Sequence, residues 1–443
     1  MRLFSIAGHL GLDSGIVKFG GRYWEKDPVK LRSVALISLG GAFLSGAILG
    51  ALLFVSAPWL ADEFFKKPDL IPILRGFAVT FPFVTTLRVA AATSSLSRKL
   101  LCGAVSEDIA QPILQIGLFL VFFNMGMGLN AAILSIGISY GISAVIGLLC
   151  MARSVPRVIT FDRIRMDDLV PIIRFSLPAI VGVTLGAFNL WGDRLLIGYF
   201  STETNTGIYQ SISVLTMFTT IIVSGFKISI APTVSRMYHD GEYDGIKTLA
   251  KSVTRWTLYI SIPILIFVFI NANLLITSLF GFEYESGTIP LLILTVGQAF
   301  YVAFGVVDQI FLMTGKQIEW TRISAFIFVS TIILDSILIP RANLIGASIV
   351  SSAMMLLLGS IATIRLNHHL RLRLFDKYHA KIFIASLITV LIAYPIAAIL
   401  AFNLLINLLI TTVIIYTVFG GLLLASGLEA SDKEIIYRII KKK

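Results

Sequence analysis

Charged residues embedded in long apolar runs are where this sequence could do chemistry. Asp13, Lys18, Arg88, Glu107, Asp108, Asp193, Arg194, Lys227, Asp308 and Asp335 all lie within or at the edges of such runs. A charge at bilayer depth costs about 2.5 to 3.5 kcal/mol, so charges kept there face a bundle interior, a cavity or each other. Ammonium and guanidinium groups recognise phosphate oxygens well. Lys18, Arg88 and Lys227 are therefore the candidate substrate-binding residues, read as cations from both halves lining a central, inward-facing cavity suited to a phosphate or pyrophosphate. Asp13, Glu107, Asp108, Asp193 and Asp308 are candidates for ion coupling or for structural charge. The competing reading for Lys18, Arg88, Glu107, Asp108, Arg194 and Lys227 is a place at the interface, the long chains snorkelling to it. For the adjacent pair Asp193 and Arg194, pairing with neighbouring helices is preferred over ligand contact.

Other chemistry finds no footing. The sequence lacks H-E-x-x-H, G-x-S-x-G and Walker A patterns, and any Cys/His ligand set, so no catalytic, cofactor-binding or metal-binding residue is assigned and the chain reads as a non-enzyme. His368 and His369 read as a solvated pair in a basic loop, and Cys102 and Cys150 as small buried hydrophobes. With no ATPase motif, transport would draw on a proton or sodium gradient, the membrane potential or the substrate gradient.

The elements that must position these charges are membrane helices. The chain has 443 residues, 56% hydrophobic and 14% charged, with recurring apolar runs about as long as a bilayer is thick. The uninterrupted runs lack the alternation of barrel strands, which leaves helices as the spanning form. Thirteen candidate spans follow: 3–21, 34–56, 71–92, 104–123, 131–151, 175–197, 207–232, 256–275, 291–313, 323–339, 344–364, 382–400 and 404–426. Pro178, Pro232 and Pro290, with Gly182 and Gly186, are candidates for helix kinks. The connections alternate in basic charge, 28 Lys and Arg on one side against 4 on the other. By the positive-inside rule the basic side is cytoplasmic, and the net charge of +11 reflects topology and not nucleic-acid binding. The expected location is the cell (inner or plasma) membrane, multi-pass, with a cytoplasmic C-terminus. Residues 429–443 put Ile435, Ile436, Ile439 and Ile440 on one face and end in three lysines, as an amphipathic basic helix on the inner leaflet would.

A shift of 218 residues superposes Leu31 on Leu249, Phe64 on Phe282, Ile71-Pro72 on Ile289-Pro290 and Leu74 on Leu292. Both copies have the same orientation, as in parallel repeats about an axis along the membrane normal. The expected fold is all-α: two pseudo-symmetric helical lobes around a central cavity plus a C-terminal helix pair. The 175–197 segment has no counterpart ahead of 3–21, so one helix of a fourteen-span fold is expected to be missing before the first span. The expected division is residues 1–160, 161–375, 376–428 for the final pair, and the tail 429–443.

Several stretches, in this order, resemble the polysaccharide or O-antigen flippases of the multidrug/oligosaccharidyl-lipid/polysaccharide exporter superfamily. They are Gly11-Leu12-Asp13-Ser14-Gly15-Ile16-Val17-Lys18-Phe19, Phe175-Ser176-Leu177-Pro178, Asp193-Arg194-Leu195-Leu196-Ile197-Gly198 and Gly207-Ile208-Tyr209. The set continues with Ala231-Pro232-Thr233-Val234-Ser235, Leu279-Phe280-Gly281-Phe282-Glu283-Tyr284, and Leu338-Ile339-Pro340 before Ile345-Gly346-Ala347. The resemblance implies fourteen helices in two lobes and transfer of a polyprenyl-pyrophosphate-linked oligosaccharide to the outer leaflet by alternating access. It implies a lipid-linked glycan and membrane lipids as partners, together with a polysaccharide polymerase and glycosyltransferases of the same pathway. The alternatives are a cation-coupled drug exporter using Asp13, Glu107 or Asp308, a membrane-embedded glycan polymerase or glycosyltransferase, and a non-transporting scaffold.

Overall fold

The computed structural model describes residues 11–23, 27–94, 105–154, 191–370, 374–399 and 403–427, with positions 8, 96, 184–186, 188–189, 429 and 432–433. Every regular element among them is a helix, and ten are long and apolar enough to cross a membrane. The chain is an all-α polytopic membrane protein. It divides into two compact units, residues 1–190 and 191–443. Pro178, Gly182 and most of the 429–443 tail lie outside the described residues.

In the first unit, helix Leu12–Tyr23 packs on Pro28–Trp59 and Leu70–Ser94, and Leu129–Ser154 packs on Leu70–Ser94 and on Gln111–Asn124. Pro28 opens its helix at the position where a missing N–H costs nothing, and Asp27 Oδ1 accepts from the Lys30 amide at 3.0 Å. Lipid offers no hydrophobic drive between helices, so close approach through small residues must supply the packing. Gly46 and Gly50, one turn apart, do this. A Cβ on Gly46 would lie 2.9 Å from the Phe81 carbonyl oxygen, and one on Gly50 would lie 2.4 Å from that of Ala78.

The second unit is built around Glu203–His239 and Tyr243–Ile270, against which Thr288–Phe304 and Val307–Met313 pack. Thr202 caps the first of these helices through the Asn205 amide at 3.2 Å. Next comes a 54-residue helical stretch, Gln317–Leu370, broken at Asn343 (φ 44, ψ −124) into the two segments expected at 323–339 and 344–364. The hairpin is so tight that a Cβ on Gly346 would meet the Leu338 carbonyl oxygen at 2.4 Å. The terminal pair Lys377–Ile399 and Leu404–Ser426 seats Ile382, Ala385, Ile415, Phe419 and Leu423 against Leu258, Ile262, Leu265 and Ile266 of Tyr243–Ile270. Its other face, including Leu387, Leu391, Leu405 and Leu409, is exposed, as lipid-facing surface must be.

Two details bear on the repeat and on the kinks. Pro72 and Pro290 are each the third residue of their helices, Leu70–Ser94 and Thr288–Phe304. There a proline removes no intrahelical hydrogen bond, so Pro290 starts a helix and does not kink one. Some buried hydroxyls inside the spans are satisfied by the carbonyl one turn back, as Thr93 to Val89 and Thr257 to Val253, both at 2.7 Å.

The glycine seam makes a direct prediction. Gly50→Val should lower the detergent-solubilised protein's thermal midpoint, at a cost of roughly 1 to 3 kcal/mol for overpacking. Gly117→Val, where an added Cβ meets nothing within 4 Å, should not. Thermal unfolding followed by gel filtration compares the two.

Candidate functional site

Five of the sequence-selected charges form two ion-paired clusters, one in each unit. In the first, Arg88 stands on Leu70–Ser94, six residues from its basic end. Its guanidinium pairs with Glu107 at close range and reaches Asp13 Oδ2 at 3.9 Å. Asp13 comes from Leu12–Tyr23, so one arginine ties three separate segments together. Glu107 and Asp108 lie on a π-helical turn, Val105–Ala110, that leads into Gln111–Asn124. Such turns rotate a side chain out of the helical register and are frequent at functional sites. Asp108 is exposed and adds its charge to the field at Arg88. The Arg88 side chain is 49% exposed, so its pairing leaves it open to a further anion.

In the second unit the polarity is exchanged. Lys227 Nζ on Glu203–His239 donates to Asp308 Oδ2 on Val307–Met313 at 2.7 Å and lies 5.6 Å from the centre of the Tyr301 ring. Asp308 Oδ1 also accepts from the Gln309 amide at 2.7 Å. Under the 218-residue shift, Asp13 falls one helical turn from Lys227 and Arg88 falls two residues from Asp308. Each unit therefore links its corresponding pair of helices with one ion pair, the acid on the first helix in one unit and on the second in the other. Lys18 lies on the Leu12–Tyr23 helix, but its side chain is outside the described positions.

A third network surrounds Asp193, on the helical residues 191–200. Its Oδ1 accepts from the Arg194 amide and guanidinium, both at 2.9 Å. Its Oδ2 accepts from Tyr209 Oη at 2.7 Å and from Ser351 Oγ at 3.1 Å. Arg194 donates to Gln210 Oε1 at 2.8 Å and stacks over the Trp191 ring at 4.5 Å, so it is packed and does not snorkel. Asp193 and Arg194 thus bond to side chains of neighbouring helices. Asp335, on Gln317–Leu370, lies close enough for the Asp193 charge to act on it. It is 0% exposed, and among the described residues neither carboxylate oxygen has a hydrogen-bond partner. An ionised carboxylate so placed needs a bound cation or a proton.

Sequence reasoning selected the charges but missed their neutral partners Tyr209, Tyr301, Gln210 and Ser351. The only trace of Tyr209 was its place in the stretch Gly207-Ile208-Tyr209. The basic residues that follow Glu203–His239 also prove unlike one another. Lys247, Lys251 and Arg255 all belong to Tyr243–Ile270, and Arg255 is buried. At the other end of Gln317–Leu370, His369 Nε2 meets Glu319 Oε2 at 2.5 Å and is half-buried, so the histidine pair is not wholly solvated.

Comparison with known proteins bears on this arrangement. Residues 5–288 match the family described as "Polysaccharide biosynthesis protein". A relative from Haloferax volcanii, named "Probable low-salt glycan biosynthesis flippase Agl15", is 24% identical over 318 residues, which is 70% of this chain and 66% of that protein. "Capsular polysaccharide biosynthesis protein CapF" of Staphylococcus aureus is 22% identical over 238 residues, 54% of this chain and 60% of that one. The matched regions thus span less than two thirds of the length of either relative. Among solved structures, "Lipid II flippase MurJ, inward closed conformation" shares the fold, with a TM-score of 0.75 at 14% identity, covering 99% of this chain and 90% of that one. An inward-facing multidrug resistance transporter of the MATE family does so with a TM-score of 0.65 at 16% identity over 84% of this chain and 88% of that one.

The ion pair in the second unit is open to a double-mutant cycle. Lys227→Met and Asp308→Asn should each lower the thermal midpoint, and the double variant should lower it by less than the sum. The expected coupling is roughly 0.5 to 3 kcal/mol, and strict additivity would show that the two side chains do not act on each other.

Proposed function

Because this chain belongs to the polysaccharide biosynthesis protein family, we propose that it is a flippase. It moves a polyprenyl-pyrophosphate-linked oligosaccharide from the cytoplasmic to the outer leaflet of the cell membrane, by alternating access, during assembly of a cell-surface polysaccharide. The observation that carries this reading is the presence of Arg88 and Lys227 within membrane-length helices, each held by a carboxylate of its own unit. A pyrophosphate is the anion best able to displace a carboxylate from such a cation. It offers more charge and more acceptor oxygens, and a guanidinium binds it through two parallel hydrogen bonds.

In this account Glu107 and Asp308 are placeholders that keep the cations solvated until the head group arrives, and Lys18 joins them on the substrate. The lipid tail stays in the bilayer while the glycan follows the pyrophosphate. Asp335 supplies the coupling: its buried carboxylate, with Asp193 beside it, takes a proton or a sodium ion from the gradient. The chemistry is translocation, with no bond made or broken in the substrate. The partners are the lipid-linked glycan, the membrane lipids, and the polymerase and glycosyltransferases that act before and after translocation. The domain reading that accompanies it is an N-terminal lobe through residue 160, a second lobe through 375 and a helix pair through 428, with the C-terminus in the cytoplasm.

A cation-coupled exporter of organic cations is the second reading, favoured by the number of intramembrane carboxylates. There Asp13, Glu107 or Asp308 would contact the cargo directly.

Two experiments follow. In cells dependent on this protein for surface glycan, Lys227→Ala and Arg88→Ala should each cut export by tenfold or more, about 1.4 kcal/mol in a rate barrier, while membrane levels stay normal. Undiminished export in both variants would remove the cations from the mechanism, and drug efflux dependent on Asp13, Glu107 or Asp308 would establish the second reading. Asp335→Asn should retain binding of the lipid-linked glycan to the purified protein but abolish the response of transport to an imposed proton or sodium gradient. An unchanged response would remove Asp335 from coupling.

A further inference from the structure

The largest fully buried side chain among the described residues, Arg255 of Tyr243–Ile270, plays no part in the networks above. Only 1% of it is exposed, and it is gripped by carboxylates from two other segments. Arg255 Nε donates to Asp432 Oδ2 at 2.9 Å and Nη2 donates to Asp432 Oδ1 at 3.2 Å, a two-pronged contact. Glu429 closes on the same Nη2, and Tyr259 Oη donates to Asp432 Oδ2 at 3.2 Å. Asp432 itself is 0% exposed. Both acids lie beyond the helix Leu404–Ser426.

The third carboxylate belongs to Asp376, whose Oδ2 is 3.7 Å from Arg255 Nη1 and 3.7 Å from Lys251 Nζ. Its Oδ1 accepts from the Tyr378 amide at 2.9 Å and from the His379 amide at 3.4 Å, so Asp376 caps the start of Lys377–Ile399. Burial pushes this carboxyl up, but the hydrogen bond and charge of His379 and the two amides outweigh it and leave it below the usual carboxylate range. Asp376 is therefore held as an anion.

At the same end, Lys381 Nζ donates to the Ser426 carbonyl and, at 3.3 Å, to that of Gly427. A cation there satisfies carbonyls that the end of a helix leaves unpaired. The start of one terminal helix and the exit of the other are thus fastened together by Lys381. Both are fastened to Tyr243–Ile270 by Arg255. Only four residues separate Gly427 from Asp432, so the five steps between them reach at most about 18 Å.

We propose that Glu429 and Asp432 form a releasable latch, whose carboxylates close on Arg255 and hold the basic end of the terminal helix pair against Tyr243–Ile270. Apolar side chains of similar volume would fasten the segment at least as firmly, because an ion pair taken out of water must offset its own desolvation. An ionic contact differs in how it fails. Neutralising one partner leaves a buried charge uncompensated, so the contact opens sharply instead of loosening by degrees. The rest of the pair's seating is an apolar face along Leu258, Ile262, Leu265 and Ile266 that can slide or part once the basic end is free.

Hydrogen–deuterium exchange of the full-length chain in lipid nanodiscs tests this. In Asp432→Asn, amides at 251–255, 377–381 and 422–427 should exchange about tenfold or more faster than in the wild type, and Glu429→Gln should show a smaller change at the same places. Amides in 129–154 and 288–304 should be unaffected. Equal exchange in the variants and the wild type would overturn the latch, as would an increase of the same size throughout the chain. If Asp432→Asn does not accumulate, Glu429→Gln carries the test with the same two outcomes. Arg255→Met combined with Glu429→Gln and Asp432→Asn removes the buried charges together. It should keep the protein folded while exchange at the three segments stays fast, and slow exchange there in this variant would also contradict the proposal.

Discussion

No charge can stand bare in hydrocarbon, and the arrangement of polar groups in this protein follows from that rule. Arg88 is met by Glu107 and Asp13, Lys227 by Asp308, Arg194 by Asp193, and Arg255 by Asp376, Glu429 and Asp432. All but the adjacent Arg194 and Asp193 join side chains from different segments. The cations therefore also bear on which helices stay together, most of all at the buried Arg255–Asp432 pair, where removing either partner leaves an uncompensated charge. Asp335 is the exception, and a buried carboxylate that finds no partner within the described protein is the place where a transported ion would enter the account.

The remainder of the fold makes these pairings reachable. Apolar side chains associate no more strongly with one another than with lipid, so the helices approach through Gly46, Gly50 and Gly346, where backbone meets backbone. The hydroxyls of Thr93 and Thr257 turn back onto their own helices and ask nothing of their neighbours. Polar capacity is thus concentrated in a few charged clusters. Those at Arg88 and Lys227 recur at corresponding places in the two units with acid and base exchanged, which keeps the pairing of helices while changing which helix carries the cation.

Much of the architecture was legible in the sequence. The hydrophobic runs placed Leu404–Ser426 to the residue and both arms of the Gln317–Leu370 hairpin, because bilayer thickness imposes one length on every span. Ile71-Pro72 and Ile289-Pro290 marked helix starts, where a proline removes no intrahelical hydrogen bond. The intramembrane charges were visible because each is expensive. What could not be read was pairing. Arg88 and Glu107 are 19 residues apart and Lys227 and Asp308 are 81, distances to which no helical periodicity applies. Arg255 was hidden for a different reason. It closes a run of basic residues that looks like an ordinary solvated loop, and its burial depends on acids 121 to 177 residues further along the chain.

In the proposed function, the carboxylates that hold Arg88 and Lys227 yield them to the pyrophosphate of the cargo. Placeholder acids would also explain how a transporter binds a dianion firmly without being trapped by it, because the carboxylates compete for the same cations on release. The most direct measurement is equilibrium binding to the purified protein in nanodiscs of a polyprenyl-pyrophosphate glycan and of the same lipid and glycan joined without phosphate. Losing two charge-assisted contacts should weaken binding by roughly a hundredfold or more. Equal affinity for the two compounds would contradict the central claim.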